Sequence, residues 1–151
     1  MRDLHVIVVG KLNDKNIEDL ERDYYKRITS PKLYIHEARA HSEDLNKEAR
    51  EVISKIEDIS KNENPYIVLM MEKGKQFSSM DFSKWLSGIN DRQSLIFIIG
   101  GASGHGDEVI KLAHFKLSLS ELTYPHKLAR LLLVEQIYRA QTIQAGHPYN
   151  K

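Results

Sequence analysis

Short apolar runs alternate along this chain with charged segments whose apolar positions recur at helical spacing, and that alternation limits the folds open to it. Leu4–Val9 is apolar and largely β-branched and stops at Gly10, as expected of a strand buried on both faces. Ile17, Leu20, Tyr24 and Ile28 then recur at helical spacing behind Asn13 and Asp14, either of which can cap a helix. Residues 32–38 alternate weakly as a second strand, and after Ser42 the positions Leu45, Ala49, Val52, Ile53 and Ile56 form one apolar stripe opposite a charged face. Residues 66–71 read as a third strand. Ser78 or Ser79 caps a helix bearing Phe82, Trp85, Leu86 and Ile89, and residues 94–99 form a fourth strand. The expected fold class is α/β, a mostly parallel sheet with helices on both faces. At 151 residues and 41% apolar composition, the chain is expected to fold as a single unit around one core.

Two apolar runs empty into loops of small residues. Residues 94–99 lead into Gly100-Gly101-Ala102-Ser103-Gly104-His105-Gly106, and residues 115–119 lead into Ser120-Glu121-Leu122-Thr123-Tyr124-Pro125. In open α/β sheets, ligands bind beyond the carboxyl ends of strands, and glycine lets backbone groups approach them closely. A small-molecule site is therefore expected here; the alternative is a pair of tight turns. The glycines do not form G-x-G-x-x-G, and no acidic residue closes a strand about 20 residues on. Gly74-Lys75 is followed by Gln76, with Leu69 where a P-loop begins. Both nucleotide motifs therefore fail.

The chain has no cysteine, which removes disulfides, thiolate metal sites and thiol nucleophiles and suits a reducing compartment. His5, His36, His41, His105, His114, His126 and His147 show no metal-ligand spacing. They read as surface or hydrogen-bonded structural histidines, and no metal is expected. Only His147, in the closing Gly146-His147-Pro148-Tyr149-Asn150-Lys151, stands out, as part of a tail able either to fray or to reach over a ligand. No stretch approaches a signal h-region or a membrane span, so a soluble, cytoplasmic protein is expected.

The helix expected from His126 to Gln144 differs from the others, because Leu128, Ala129, Leu131, Leu132, Leu133 and Val134 surround most of its first two turns. Such a helix must be buried on more than one side, and in so short a chain a second copy is the expected cover, giving a homodimer. The formal charge of +1 divides into +3 over residues 124–151 and −2 elsewhere. That asymmetry reads either as an RNA-facing surface or as a solvated helix face.

Taken in order, Val8-Val9-Gly10-Lys11, Gly74-Lys75 with Ser78-Ser79, Ile99-Gly100-Gly101-Ala102-Ser103-Gly104, Ser118-Leu119-Ser120, Thr123-Tyr124-Pro125-His126, Glu135-Gln136-Ile137-Tyr138-Arg139-Ala140 and His147-Pro148-Tyr149 closely resemble the bacterial ribosomal RNA large subunit methyltransferase H family of the SPOUT class. The resemblance covers essentially the whole chain. It implies transfer of methyl from S-adenosylmethionine to N3 of a pseudouridine in large-subunit (23S) ribosomal RNA, on the assembled ribosome. It also implies a homodimer and a carboxy-terminal trefoil knot within one domain over residues 1–151. The cofactor residues it implies are Met70, Gly101, Ser120, Glu121, Leu122, Thr123, Tyr124 and Pro125. Arg139, His147 and Tyr149 are the expected catalytic residues: Arg139 to stabilise the N3 anion or grip a phosphate, His147 or Tyr149 to position the base. Lys127, Arg130 and Lys151 are expected to touch phosphates. Two positions depart from the family pattern, Met71 where an acidic residue usually stands and Asn150 where a histidine or close variant follows His-Pro-Tyr. They motivate two alternatives, a ribosome-associated binding protein without turnover and a methyltransferase for another RNA uridine or pseudouridine.

Overall fold

The computed structural model describes residues 2–42 and 44–151. Five strands and five helices alternate as β1 (Leu4–Val9), α1 (Lys15–Tyr25), β2 (Leu33–Ala38), α2 (Leu45–Ser60), β3 (Tyr66–Lys75), α3 (Ser79–Asn90), β4 (Leu95–Ile99), α4 (Asp107–Leu112), β5 (Phe115–Leu117) and α5 (His126–Gln144). The strands form one sheet in the order β2-β1-β4-β3-β5. Every neighbouring pair is parallel, with Leu4 of β1 level with Leu33 of β2 and Leu95 of β4. Parallel pairing leaves a strand covered on both faces, so β1 and β4 are apolar at nearly every position. Leu4, Val6, Val8, Val68, Leu95 and Phe97 face α1, α3 and α5, whereas Ile7, Val9, Ile67, Leu69, Ile96 and Ile98 face α2 and α4.

Capping side chains mark where α1, α2 and α3 start. The Asp14 carboxylate accepts from the amides of Asn16 and Ile17, while Asn13 takes a left-handed φ of 48° that an asparagine tolerates. The Ser78 hydroxyl caps α3 at Asp81, freeing Ser79 to donate to Gln136 on α5 at 2.9 Å. The six-residue α4 follows the glycine loop at a place where the sequence pattern shows no helix, since so short a helix buries only Val109 and has no periodic stripe. β3 runs four residues further than expected because Gly74 packs on β5: a Cβ there would stand 2.7 Å from the Lys116 carbonyl oxygen. β5 stops at Leu117, two residues short of the apolar run.

Within one chain the long helix α5 is buried along a single side, through Leu133, Val134, Ile137 and Tyr138. Leu128 and Leu132 remain 41% and 39% exposed, beside the exposed Leu122 and Tyr124. Arg130 is a correction, for it does not present a free charge to phosphate. It is 6% exposed, and it donates through Nε and Nη2 to both oxygens of Glu21 at 2.6 and 2.9 Å, and through Nη1 to Glu37 at 2.7 Å. Burial opposes its charge, and the hydrogen bonds to Glu21 and Glu37 outweigh burial and raise its pKa further. The triad joins α1, β2 and α5.

Candidate functional site

Beyond the carboxyl ends of β3, β4 and β5 lies a cavity of about 400 Å³, within the range of small-molecule sites. Its walls come from Met70 and the residues after it on β3, from Ile99 through the glycine loop to His105, from Leu117 to Ser120, and from Leu122, Tyr124, His126 and Ala129. Of the residues expected to hold a cofactor, Met70, Gly101, Ser120, Leu122 and Tyr124 line it. Glu121, Thr123 and Pro125 belong to the same segment but are exposed outside the lining, with Pro125 as the N-cap of α5.

The glycine loop is both a tight turn and a cavity wall. Gly104 N–H donates to the Gly101 carbonyl at 3.0 Å, and Gly104 has φ +84°, a conformation glycine adopts at little cost. A Cβ on Gly100 would lie 2.5 Å from the Gly104 carbonyl oxygen. The second loop is braced by its serines: Ser118 Oγ donates to the Ser120 carbonyl at 2.9 Å, and Ser120 Oγ accepts from the Leu122 amide at 3.0 Å. Both walls are therefore fixed by internal hydrogen bonds, and the apolar side chains of Met70, Leu119 and Leu122 flank backbone groups of the glycine turn.

Two lining features were not singled out from the sequence. His105 donates from Nε2 to the Met70 carbonyl at 2.8 Å, and burial lowers its pKa; a histidine between glycines gave no periodic signal of that contact. Glu72 lies in the wall beside Met71. An acidic residue thus lines the cavity one position after Met71, which stands where the family pattern puts one.

The expected catalytic residues assemble elsewhere. Tyr149 O–H and the Arg139 guanidinium both donate to Oε1 of Glu135, while Gln136 Nε2 donates to Oε2. Arg139 lies over the Tyr149 ring at 4.7 Å, and its Nη1 donates to Asn150 Oδ1 at 3.0 Å. Hydrogen bonding to Glu135 raises the Arg139 pKa, and burial followed by hydrogen bonding raises that of Tyr149, so the phenol stays protonated at neutral pH. The side chain of His147 is exposed, and its Nδ1 accepts from the Tyr149 amide at 3.2 Å. The final residues of the chain are therefore docked on α5 rather than frayed. Asn150, the departing position, is one of the groups holding Arg139. At 1.5 Å of rise per residue, Arg139 stands roughly 15 Å along α5 from Ala129 in the cavity wall, so one chain does not bring the two clusters together.

Among the described residues no group of His, Asp or Glu is arranged to hold a metal, and no helix is long and apolar enough to cross a membrane.

A family model described as a predicted SPOUT methyltransferase matches residues 2–150. Proteins named ribosomal RNA large subunit methyltransferase H are similar over nearly the whole chain. That of Clostridium acetobutylicum is 39% identical over 97% of this chain and 98% of its own length, and that of Synechococcus sp. CC9311 is 42% identical over 97% and 94%. The Enterococcus faecalis protein is 36% identical over 98% and 99%. Among solved structures, a probable methylase family protein from Haemophilus influenzae superposes with a TM-score of 0.59 at 8% identity, over 99% of this chain and 71% of that one. The SpoU methyltransferase AviRb of Streptomyces viridochromogenes, solved with AdoMet, gives 0.54 at 14% identity, over 92% and 58%. With this sequence identity sustained from end to end and a strand-end cavity built from the matching motifs, the chain belongs to the ribosomal RNA large subunit methyltransferase H family of SPOUT methyltransferases.

Proposed function

We propose that this protein methylates N3 of a pseudouridine in 23S ribosomal RNA, using S-adenosylmethionine, as a homodimer acting on assembled ribosomes in the cytoplasm. The observation that carries the reading is the cavity, in which five residues expected from the family motifs converge at the strand ends. Its size, apolar flanks and exposed glycine backbone suit an adenosine with a methionine chain. Residues 1–151 form one SPOUT domain in this reading, and the segments around Gly100 and Ser120 belong to a carboxy-terminal trefoil knot.

Met70, Gly101, Ser120, Leu122 and Tyr124 would hold the cofactor, whose sulfonium supplies an activated methyl group that needs no metal or acid to depart. What remains for the protein is to orient the base and let its N3 proton leave. Arg139 is suited to stabilise the N3 anion, because Glu135, Tyr149 and Asn150 hold its guanidinium in one orientation. Both oxygens of Glu135 are already engaged, accepting hydrogen bonds from Arg139, Tyr149 and Gln136. In this scheme the N3 proton leaves to solvent, and His147, whose Nδ1 accepts from the Tyr149 amide and whose Nε2 therefore carries the ring proton, positions the uracil ring together with Tyr149.

The separation along α5 supports a site completed by a second copy. An antiparallel, two-fold crossing of α5 helices centred near the exposed Leu132 would cover the apolar strip and bring the partner's Arg139 beside His126 at the cavity. Labelled S-adenosylmethionine supplied in parallel to intact ribosomes, separated subunits and naked RNA lacking the modification tests the whole reading. Methyl incorporation at one pseudouridine in ribosomes alone is expected; cofactor binding with no incorporation into any RNA would refute it. Mixing Arg139→Ala protein with a cavity variant, Gly101→Trp, should restore activity that neither has alone.

A further inference from the structure

Resting on the reading of the cavity as the cofactor site, we propose that His105 is a positioning residue that sets the gap between the cavity walls by tying the glycine loop to the end of β3. Pairing between β3 and β4 runs from Tyr66↔Leu95 to Leu69↔Ile98. Met70 is the next residue, beyond the last β4 partner, where the two chains part to form the cavity. At that point the Met70 carbonyl accepts from His105 Nε2 at 2.8 Å. One side chain thus continues the link between the separating strands, and both His105 and Met70 line the cavity.

The loop is shaped to deliver this imidazole. The reversal closed by Gly104 N–H and the Gly101 carbonyl turns the chain back, and a Cβ on Gly100 would meet His105 Nδ1 at 3.1 Å, so the ring lies against bare backbone. The next residue, Gly106, fits closely against α2, where a Cβ would stand 2.9 Å from that of Ala49. The loop is therefore anchored on β4 at one end and on α2 at the other, with His105 as its tie to β3. A carbonyl accepts and cannot donate, so the proton is on Nε2. Burial keeps the ring neutral, with Nδ1 free of a second proton.

Glutamine places its amide nitrogen as many bonds from Cβ as histidine places Nε2, asparagine falls one bond short, and leucine fills space without a donor. Titration calorimetry with S-adenosylhomocysteine on His105→Gln, His105→Asn and His105→Leu separates these roles. Asn and Leu are expected to weaken binding about tenfold, as loss of one hydrogen bond would, and Gln to stay within about threefold of the unsubstituted protein. In methyl transfer, the Leu variant should raise KM for S-adenosylmethionine by a similar factor while kcat at saturation stays within about twofold. Leu binding as well as the unsubstituted protein would show that the ring only packs and would overturn the assignment. So would equal weakening by all three variants, or a fall in kcat with unchanged affinity. An unsubstituted protein that binds no S-adenosylhomocysteine would instead overturn the cofactor reading, and this inference with it.

Discussion

Arg130→Ala is expected to destabilise the protein, and to do so by releasing α1. Glu21 is the buried residue of α1, the rest of whose surface is largely exposed, including Leu20 at 50%. Removing the guanidinium leaves the Glu21 carboxylate, 10% exposed at its side chain, with both oxygens deprived of their 2.6 and 2.9 Å donors. Breaking such a buried pair costs roughly 3–5 kcal/mol. Glu37, at 36% side-chain exposure, recovers water and adds little. For a protein of this size, with about 2–4 °C per kcal/mol, Tm should fall by roughly 6–20 °C. Removing the stranded charge as well, in Glu21→Leu with Arg130→Met, should recover most of that loss, since apolar replacement of a buried pair is often neutral. Urea unfolding of the single and double variants measures both quantities, and amide exchange should show α1 losing protection first. A single variant that loses less than about 1 kcal/mol, or one that keeps its stability but loses RNA affinity, would refute the argument and return Arg130 to the phosphate-binding role its charge alone suggests.

Three further outcomes follow from the same structure. Gly100→Ala puts a Cβ 2.5 Å from the Gly104 carbonyl oxygen, so the turn must open; a cost of about 1–3 kcal/mol and loss of S-adenosylhomocysteine binding should appear together in melting and calorimetry. Burial, followed by charge interactions with His5 and Lys55, lowers the pKa of His36, and burial lowers that of His105. The unfolded chain therefore binds more protons just below the ordinary histidine value of 6.5, and stability present above that value should decline as pH falls through the lower folded values. Urea midpoints between pH 7.5 and 5 should show this decline, with a shallower slope in His36→Gln; an unchanged slope would remove His36 from the account. Leu132→Asp, on the exposed strip of α5, should disrupt the proposed dimer, sedimenting as a smaller species than the unsubstituted protein, and abolish methyl transfer while leaving melting of the monomer nearly unchanged.

How far the chain can be read in advance depends on the length over which a signal accumulates. β1 and β4 are legible because four or five consecutive apolar positions leave no polar face, and α2 because its stripe repeats over about three turns. The six residues of α4 carry too few positions to show a period. The continuation of β3 through Gly74-Lys75 depends on close backbone contact with β5, which a local pattern does not encode. Arg130 shows the limit for charge. A positive residue on a helix reads as a surface group until Glu21 and Glu37, 109 and 93 positions away, are brought against it.

The candidate site divides along the same line. Glycine and serine loops at strand ends can be chosen from sequence because backbone access is a property of the residues themselves, and the cavity lies where those loops are. His105 and His126 both line the cavity, and only His105 is within hydrogen-bond distance of the Met70 carbonyl, a partner it acquires where β3 and β4 diverge. The Arg139 cluster adds a different lesson. Glu135 and Arg139 are neighbours by helical spacing, but Tyr149 and Asn150 return to them only because Gly146, at φ +71°, turns the chain back after α5, and the His147 amide bonds to the Thr142 carbonyl at 2.9 Å. That return completes the cluster at the far end of the helix from the cavity. The same α5 that separates the two clusters also bears the uncovered strip of Leu128 and Leu132 between them. In the proposed dimer, a two-fold packing of that strip would cover apolar surface and close the distance in one step. On this reasoning, dimerisation and catalysis are coupled through a single helix, and substitutions along the strip should lower both together.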